Sequence, residues 1–234
     1  VLINQNMSSY YLGGYFLIKL RPVDFGSPKE HTVYTCSTCI NDTLIENWSY
    51  SWTADNNSQI NSVLKDFDLE LNKISEIRSW VDKEYDHQHI GWQSVFLDLQ
   101  TAKRYKQAFF SHLDEILIIG IYFNESESLK LLKEFETNKI GLHQTLQKKI
   151  PENQSMNEKL LGFDLIGVEI SGDFHTFYCH DISNELTNRF NLEINSYGLL
   201  NNTDNWEPVL EYMNDEEIGL EPVPWFSVKV KLIA

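Results

Sequence analysis

The sequence predicts an α+β fold: a mixed, mainly antiparallel sheet with several amphipathic helices. Three observations predict it. Within Leu160–Asn195 a period-2 run (Ile166, Val168, Ile170) passes through the turn cluster Ser171-Gly172-Asp173 into a second β-prone run, Phe174–Tyr178. The period then changes to that of a helix, with Ile182, Leu186 and Phe190 on one face. Strand-like and helix-like segments follow one another in mixed order rather than as repeating βαβ units. Finally, Phe226, Val228, Val230 and Leu232 alternate with Ser227, Lys229 and Lys231. That pattern describes a strand covered on one face and wet on the other.

Each element has its own signal. Tyr10–Leu20 reads as a strand, with Gly13-Gly14 marking a bulge. Arg21–Lys29, with two prolines and a glycine, is a loop. His31–Ile40 is a second strand and Trp48–Trp52 a third, with a break at Asp55–Asn57. Ile60, Val63, Leu64 and Phe67 fit a short helix. Leu71, Ile74, Ile77, Trp80 and Val81 fit a longer one. Asp82–Gly91 is polar and is expected to be a loop. Val95–Leu97 is a brief strand. Ala102, Tyr105, Ala108, Phe109 and Leu113 form an amphipathic helix with Thr101 near its start. Glu115–Phe123 is nearly all apolar, a central strand buried on both faces. Asn124 and Glu127 are spaced as a capping box for a helix carrying Leu129, Leu132 and Phe135.

Gly141–Asn157 is polar and carries Pro151, so it reads as an internal boundary or a long surface loop. In the hairpin-helix that follows, Asp181 is the expected N-cap. Tyr197-Gly198 is a turn, and Pro208–Met213 a short helix with its proline in the first turn. Pro222 and Pro224 suit an edge or the entry of the last strand. The reading is one α+β domain over 7–234, with Val1–Asn6 an added or read-through leader before Met7.

Composition excludes several functions. Acids outnumber bases 34 to 19, a net charge of −15. Phosphate-bearing partners, nucleic acid or anionic membrane, are disfavoured because their affinity comes largely from Lys and Arg. A basic protein partner is favoured through long-range steering. No apolar run is long enough to span a bilayer. Three cysteines, an odd number, point to a reducing, cytoplasmic setting.

Residues that bear chemistry are few. Cys36-Ser37-Thr38-Cys39 is a C-x-x-C, but zinc needs about four ligands, and only Cys179 with His175 or His180 offers to complete them, at no recognisable spacing. Structural thiols are the expected reading. Zinc and redox roles are the rivals. Asp82, Glu84, Asp86, His87 and His89 crowd metal-ligand types together, yet a metal site draws its ligands from distant segments, so a solvated polar loop is expected. The adjacent triplet Cys179-His180-Asp181 cannot form a nucleophile triad, because base and orienter must reach one another in space. No dinucleotide-binding, P-loop or nucleophile-elbow motif occurs. The stretch from Asp204 to Glu221 holds seven acids (Asp204, Glu207, Glu211, Asp215, Glu216, Glu217 and Glu221), no Lys or Arg, and the interleaved aromatics Trp206 and Tyr212. It is either a solvated helix face or a patch that docks a basic partner, charges steering and aromatics anchoring.

The run Leu161-Gly162-Phe163-Asp164-Leu165-Ile166-Gly167, with Phe174-His175, Cys179-His180, Asn195, Gly198-Leu199 and Pro224-Trp225, resembles bacterial immunity proteins. Tyr15-Phe16-Leu17 and Ser37-Thr38-Cys39-Ile40 fit the same pattern. Such proteins guard a cell against polymorphic toxins, including those of contact-dependent growth inhibition. The resemblance implies a cytoplasmic, acidic, non-enzymatic α+β protein without cofactor or resident metal. Its partner would be a cognate toxin domain whose active site it occludes, basic and, as the resemblance allows, a nuclease. Contact residues vary among such proteins, so none is carried over by position. The rivals are a metal-dependent hydrolase using the Asp82–His89 cluster or Cys36 and Cys39, and a regulatory adaptor with a housekeeping partner.

Overall fold

The computed structural model describes residues 9–23, 31–43, 64–91, 95–137, 141–152, 158–170, 174–202, 206–218 and 220–233. Val1–Asn6, the Trp48–Trp52 strand, the Asp55–Asn57 break, Ile60–Val63 and the turn Ser171–Asp173 lie outside them. The elements are β1 (Tyr10–Lys19), β2 (Pro22–Val23), β3 (His31–Thr32), β4 (Asp42–Thr43), α1 (Leu71–Asp86), β5 (Ile90–Gly91), β6 (Val95–Phe96), α2 (Leu99–Phe109), β7 (Ile116–Asn124), α3 (Glu125–Glu134), α4 (Gly141–Leu146), β8 (Glu158–Val168), β9 (Phe174–Thr176), α5 (Ser183–Asn188), α6 (Trp206–Met213) and β10 (Trp225–Ile233). The α+β class holds.

The main sheet runs β5-β6-β1-β7-β10-β8-β9, and β4 pairs with the end of β1. Every pairing in it is antiparallel. The register of β1 on β7 slips between Leu12 and Gly14, the bulge that Gly13-Gly14 predicts. The slip moves Leu12 onto the face shared by Tyr15 and Leu17, while Phe16 and Ile18 line the other. On β7, Ile119, Ile121 and Phe123 face one core and Ile116, Ile118 and Tyr122 the other. Both faces are thus dry, as its continuous apolar run requires. The helices α1 and α2 cover one face through Ile77, Val81, Ala102, Tyr105 and Phe109. On the other face Leu131, Leu142 and Leu146 of α3 and α4 pack. A third cluster, around Leu165, Tyr178, Leu186, Trp206, Val209 and Trp225, closes the β8–β9 end.

Several expectations change. His31–Ile40 is strand only at His31–Thr32. The rest is an extended loop ending in a turn at Thr38–Ile40. Asp82–Asp86 continues α1 instead of starting a loop. Thr101 does lie near the start of α2, whose cap is Asp98, its carboxylate accepting from Thr101 N–H. Asn124 caps α3 as expected. However, Glu127 turns away from the box, accepting from Ser227 N–H on β10 and from Lys130. The polar run that reads as a boundary opens with α4, whose Leu142 and Leu146 are buried. Strand β8 ends at Val168, leaving Ile170 exposed. Asp181 does not cap α5. It lies in the left-handed region at the end of a 3-10 turn, Phe177–His180, and Ile182 takes the cap position.

The last strand departs most from its pattern. Lying between β7 and β8, β10 has neither edge free, so its prolines mark its entry. Its polar face is covered too: Ser227 and Lys231 are buried. The ammonium of Lys231 meets Glu152 at 2.6 Å and Glu158 at 3.2 Å, and Lys229 meets Glu152 at 2.6 Å and lies over the Tyr10 ring. Charge pairing lets polar residues occupy a position that alternation alone assigns to solvent.

Candidate functional site

Besides the Asp82–His89 cluster, two regions contain the residues singled out from sequence. The first is built on the loop between β3 and β4. Asn41 shapes it: its side-chain amide donates to the carbonyls of Val33 (2.8 Å) and Thr35 (2.9 Å), and its oxygen accepts from Arg21 N–H (3.1 Å). Ile40 and Asn41 N–H both return to the Ser37 carbonyl, closing the turn that presents Cys39. The C-x-x-C therefore splits. Cys36 faces the core at 2% exposure, its thiol pushed up by burial and by Asp164, while Cys39 faces out.

The Cys39 turn sits against β9 and the 3-10 turn after it. Ser37 Oγ donates to the Phe174 carbonyl at 2.9 Å and lies 3.6 Å from Cys179 Sγ. Beneath, the buried Asp164 carboxylate accepts from Thr35 Oγ1 at 2.5 Å and Thr176 Oγ1 at 2.6 Å, tying the loop to β8 and β9. In β9 the side chains alternate, so Phe174 and Thr176 are buried and His175 points out toward Cys39.

This brings Cys39, His175 and Cys179 together, with one ligand atom of each within 4.8 Å of the others. The Cys39 Sγ to His175 Nδ1 distance is 3.7 Å, and His175 Nε2 meets Glu169 Oε1 at 2.8 Å. A second set, His175, His180 and Glu221, adjoins the first through His175. Hydrogen bonding from Cys179 lowers the Cys39 thiol to about 6, with help from Ser37 and His175. Cys179 is pushed up by donating to Cys39 and by burial. Burial would lower His175, but Glu169, Cys39 and Glu221 hold it above the ordinary histidine range. Chemically the cluster offers a thiolate, a second thiol and an imidazole braced by a carboxylate. Those are the parts of a soft-metal site, a redox pair or an activated nucleophile. Sequence reading named Cys179 with His175 or His180 as the residues that could complete a site with Cys36 and Cys39, but no spacing supported it; the fold brings Cys39 to them and leaves Cys36 out. That reading missed Glu169 and Asp164, whose partners lie far off in the chain or across a turn.

The Asp82–His89 cluster has another use. Glu84, His87 and His89 do converge, and Asp82 and Asp86 do not join them. Yet Glu84 Oε2 already accepts from His89 Nδ1 (2.6 Å) and Arg104 Nη2 (3.0 Å). Burial would raise Glu84, but these two partners hold its pKa low. A guanidinium on the ligating oxygen opposes a cation there, so the group reads as an ion-pair network joining α1 to α2.

The second region is the acidic run on and after α6. Trp206 is buried at 7%, donates its indole N–H to the Asn202 carbonyl and packs edge-on against Phe163, so it is core rather than an exposed anchor. Tyr212 is half-buried between Phe190 and the Arg189 guanidinium. Glu207, Glu211, Asp215 and Glu217 are exposed. Asp215 also accepts from Glu217 N–H, and Glu221 belongs with His175 and His180. Asp204 and the side chain of Glu216 lie outside the described residues. Between α3 and α6, hollows of about 500, 300 and 380 Å³ adjoin one another through Lys130, Leu210, Glu134, Asn214 and Pro224. Glu127, Glu134, Glu207, Glu211, Asp215 and Glu221 line them against two lysines, Lys130 and Lys133.

Among the described residues, no helix is long and apolar enough to cross a membrane. Compared with protein-family models, curated proteins and solved structures, the chain gave no match in any of the three.

Proposed function

We propose that this chain is a non-enzymatic immunity protein of the cytoplasm, binding a basic toxin domain and covering its active site. The observation that carries the reading is the seam between α3 and α6. It is a continuous cleft whose rim holds acids on α3, on α6 and on the turn after α6, against two lysines. A cleft in which six acids face two lysines, with apolar walls, carries a net negative field that steers a partner of the opposite sign. The net charge of −15 extends that attraction beyond contact distance. Leu210, Pro224 and Phe226 give the seam an apolar floor for a partner's side chain.

The test uses Glu207→Lys with Glu211→Lys, two exposed positions one turn apart on α6. Wild-type chain, used as bait in its native lysate, is expected to retain one toxin-bearing polypeptide at low salt. The double variant should bind that polypeptide at least about tenfold more weakly, since charge pairs at an interface couple by about 1.5 kcal/mol or more. Co-expression of the wild-type chain should also restore growth to cells producing the captured toxin domain. Equal capture by wild type and variant would remove the seam from the interface. Failure of the chain to protect cells from any captured toxin domain would overturn the immunity reading itself.

A further inference from the structure

Beyond the partner surface, the structure holds a cluster whose chemistry the immunity reading does not use. We propose that Cys39, Cys179 and His175 bind a divalent ion of the zinc class.

The ligands come from two distant parts of the chain: the turn that ends the β3–β4 loop, and strand β9 with the 3-10 turn at Phe177–His180 that follows it directly. Convergence from separate segments distinguishes a metal site from a polar loop. The geometry fits. Zinc–sulfur bonds of about 2.3 Å and zinc–nitrogen bonds of about 2.1 Å at tetrahedral angles place S and N about 3.6 Å apart. Cys39 Sγ and His175 Nδ1 lie 3.7 Å apart, and the Cys179 ligand atom is within 4.8 Å of both.

The surroundings fit as well. Metal-bound histidines characteristically donate their other ring N–H to a carboxylate, which fixes the tautomer. His175 Nε2 has Glu169 at 2.8 Å, which leaves Nδ1 with its lone pair toward the sulfurs. His180 lies beside this set, sharing with His175 and Glu221 a second group of ligand atoms within 4.8 Å of one another. Its Nε2 is buried and finds no hydrogen-bond partner among the described residues. Two sulfurs and imidazole select zinc or another borderline-soft ion over magnesium or calcium. The line Cys39–His175–Glu169 also has the order of nucleophile, base and orienter. A soft metal, however, takes up both thiols and the imidazole as one donor set.

The ion would bind after both thiols give up their protons, joining the Cys39 turn to the β9 hairpin without any change of oxidation state. The experiment is a titration of the full-length, fully reduced chain with cobalt(II), followed by displacement with zinc(II). One cobalt per chain is expected, with a thiolate-to-metal charge-transfer band and the intense visible bands of a tetrahedral ion, both abolished by zinc. Cys39→Ser and Cys179→Ser should each weaken binding at least about 100-fold. Glu169→Ala should weaken it by about 10- to 100-fold, as loss of a supporting partner does. Cys36→Ser should bind as wild type does. Zinc should raise the wild-type melting temperature and leave that of Cys39→Ser unmoved. Reduced wild-type chain that takes up no cobalt overturns the site, whether or not Cys39 and Cys179 then oxidise to a disulfide. So does binding that survives Cys179→Ser unchanged.

Discussion

Asp164 shows how much one buried side chain can organise. It is 1% exposed, and both of its oxygens accept threonine hydroxyls, from the β3–β4 loop and from β9. Burial nonetheless raises it to about 6, more than those hydrogen bonds lower it. The groups around it, Thr35, Thr176, Cys36 and Tyr178, bring no positive charge. A carboxyl whose folded pKa lies above its unfolded one favours the folded state below about pH 4. That advantage fades as pH rises toward 6 and is gone above it. Asp164→Asn should therefore flatten the fall in unfolding free energy between about pH 4 and 6, a difference on the order of 3 kcal/mol or less. Urea melts across that range would show it, and a wild-type profile identical to that of the variant would refute it. Nothing in the residues around position 164 announces this role. Threonines 35 and 176 become its partners only when the β8–β9 hairpin closes on the loop.

At the scale of elements, pattern and structure agree wherever a segment's own residues decide its partners. Strand β7 is apolar up to Asn124 at its end and is buried on both faces, and Gly13-Gly14 produces the bulge in β1. Agreement fails where distant packing or charge pairing decides a segment's state. The helix α4 is the clearest case of packing. Its sequence, GLHQTL, is too short and polar to carry a periodic signal. It is helical because Leu142 and Leu146 fill a gap beside β1 and α3, a tertiary effect. Leu142→Ala should cost about 2–5 kcal/mol, the range for a buried leucine. A linker or surface loop would lose less than about 0.5 kcal/mol. Chemical denaturation separates the two. Strand β10 makes the same point, since Lys231 looks solvent-facing until Glu152 and Glu158 arrive from the segment before β8 and from its start.

For the whole molecule, charge is the dominant property. At −15 the chain attracts a basic partner over roughly a Debye length, about 10 Å at 0.1 M salt. If the acidic seam is the docking face, the association rate should fall steeply, by about tenfold or more, as salt rises from low to physiological strength. The dissociation rate should change far less. Stopped-flow association at several salt concentrations checks this, and a salt-independent rate would remove the electrostatic part of the proposal. Ion binding at the proposed Cys39–His175–Cys179 site should respond differently, since thiolate ligation is set by bonded geometry rather than by the long-range field.

Composition and periodicity by themselves determined the α+β class, the central strand, the helices α2 and α3 with the Asn124 cap of the latter, and the surplus of acid. Each is a property of a short window or of the whole sum, and needs no knowledge of what lies opposite. Only the tertiary structure decided the sites. It carried Cys39 to Cys179 across 140 residues while turning its near neighbour Cys36 into the core. It also gave Glu84 to Arg104 and sank Trp206 beneath the face that was to display it. Proximity in a folded chain is fixed by which strands pair and which turns close. That information is spread over all the packing contacts at once, so no single motif contains it.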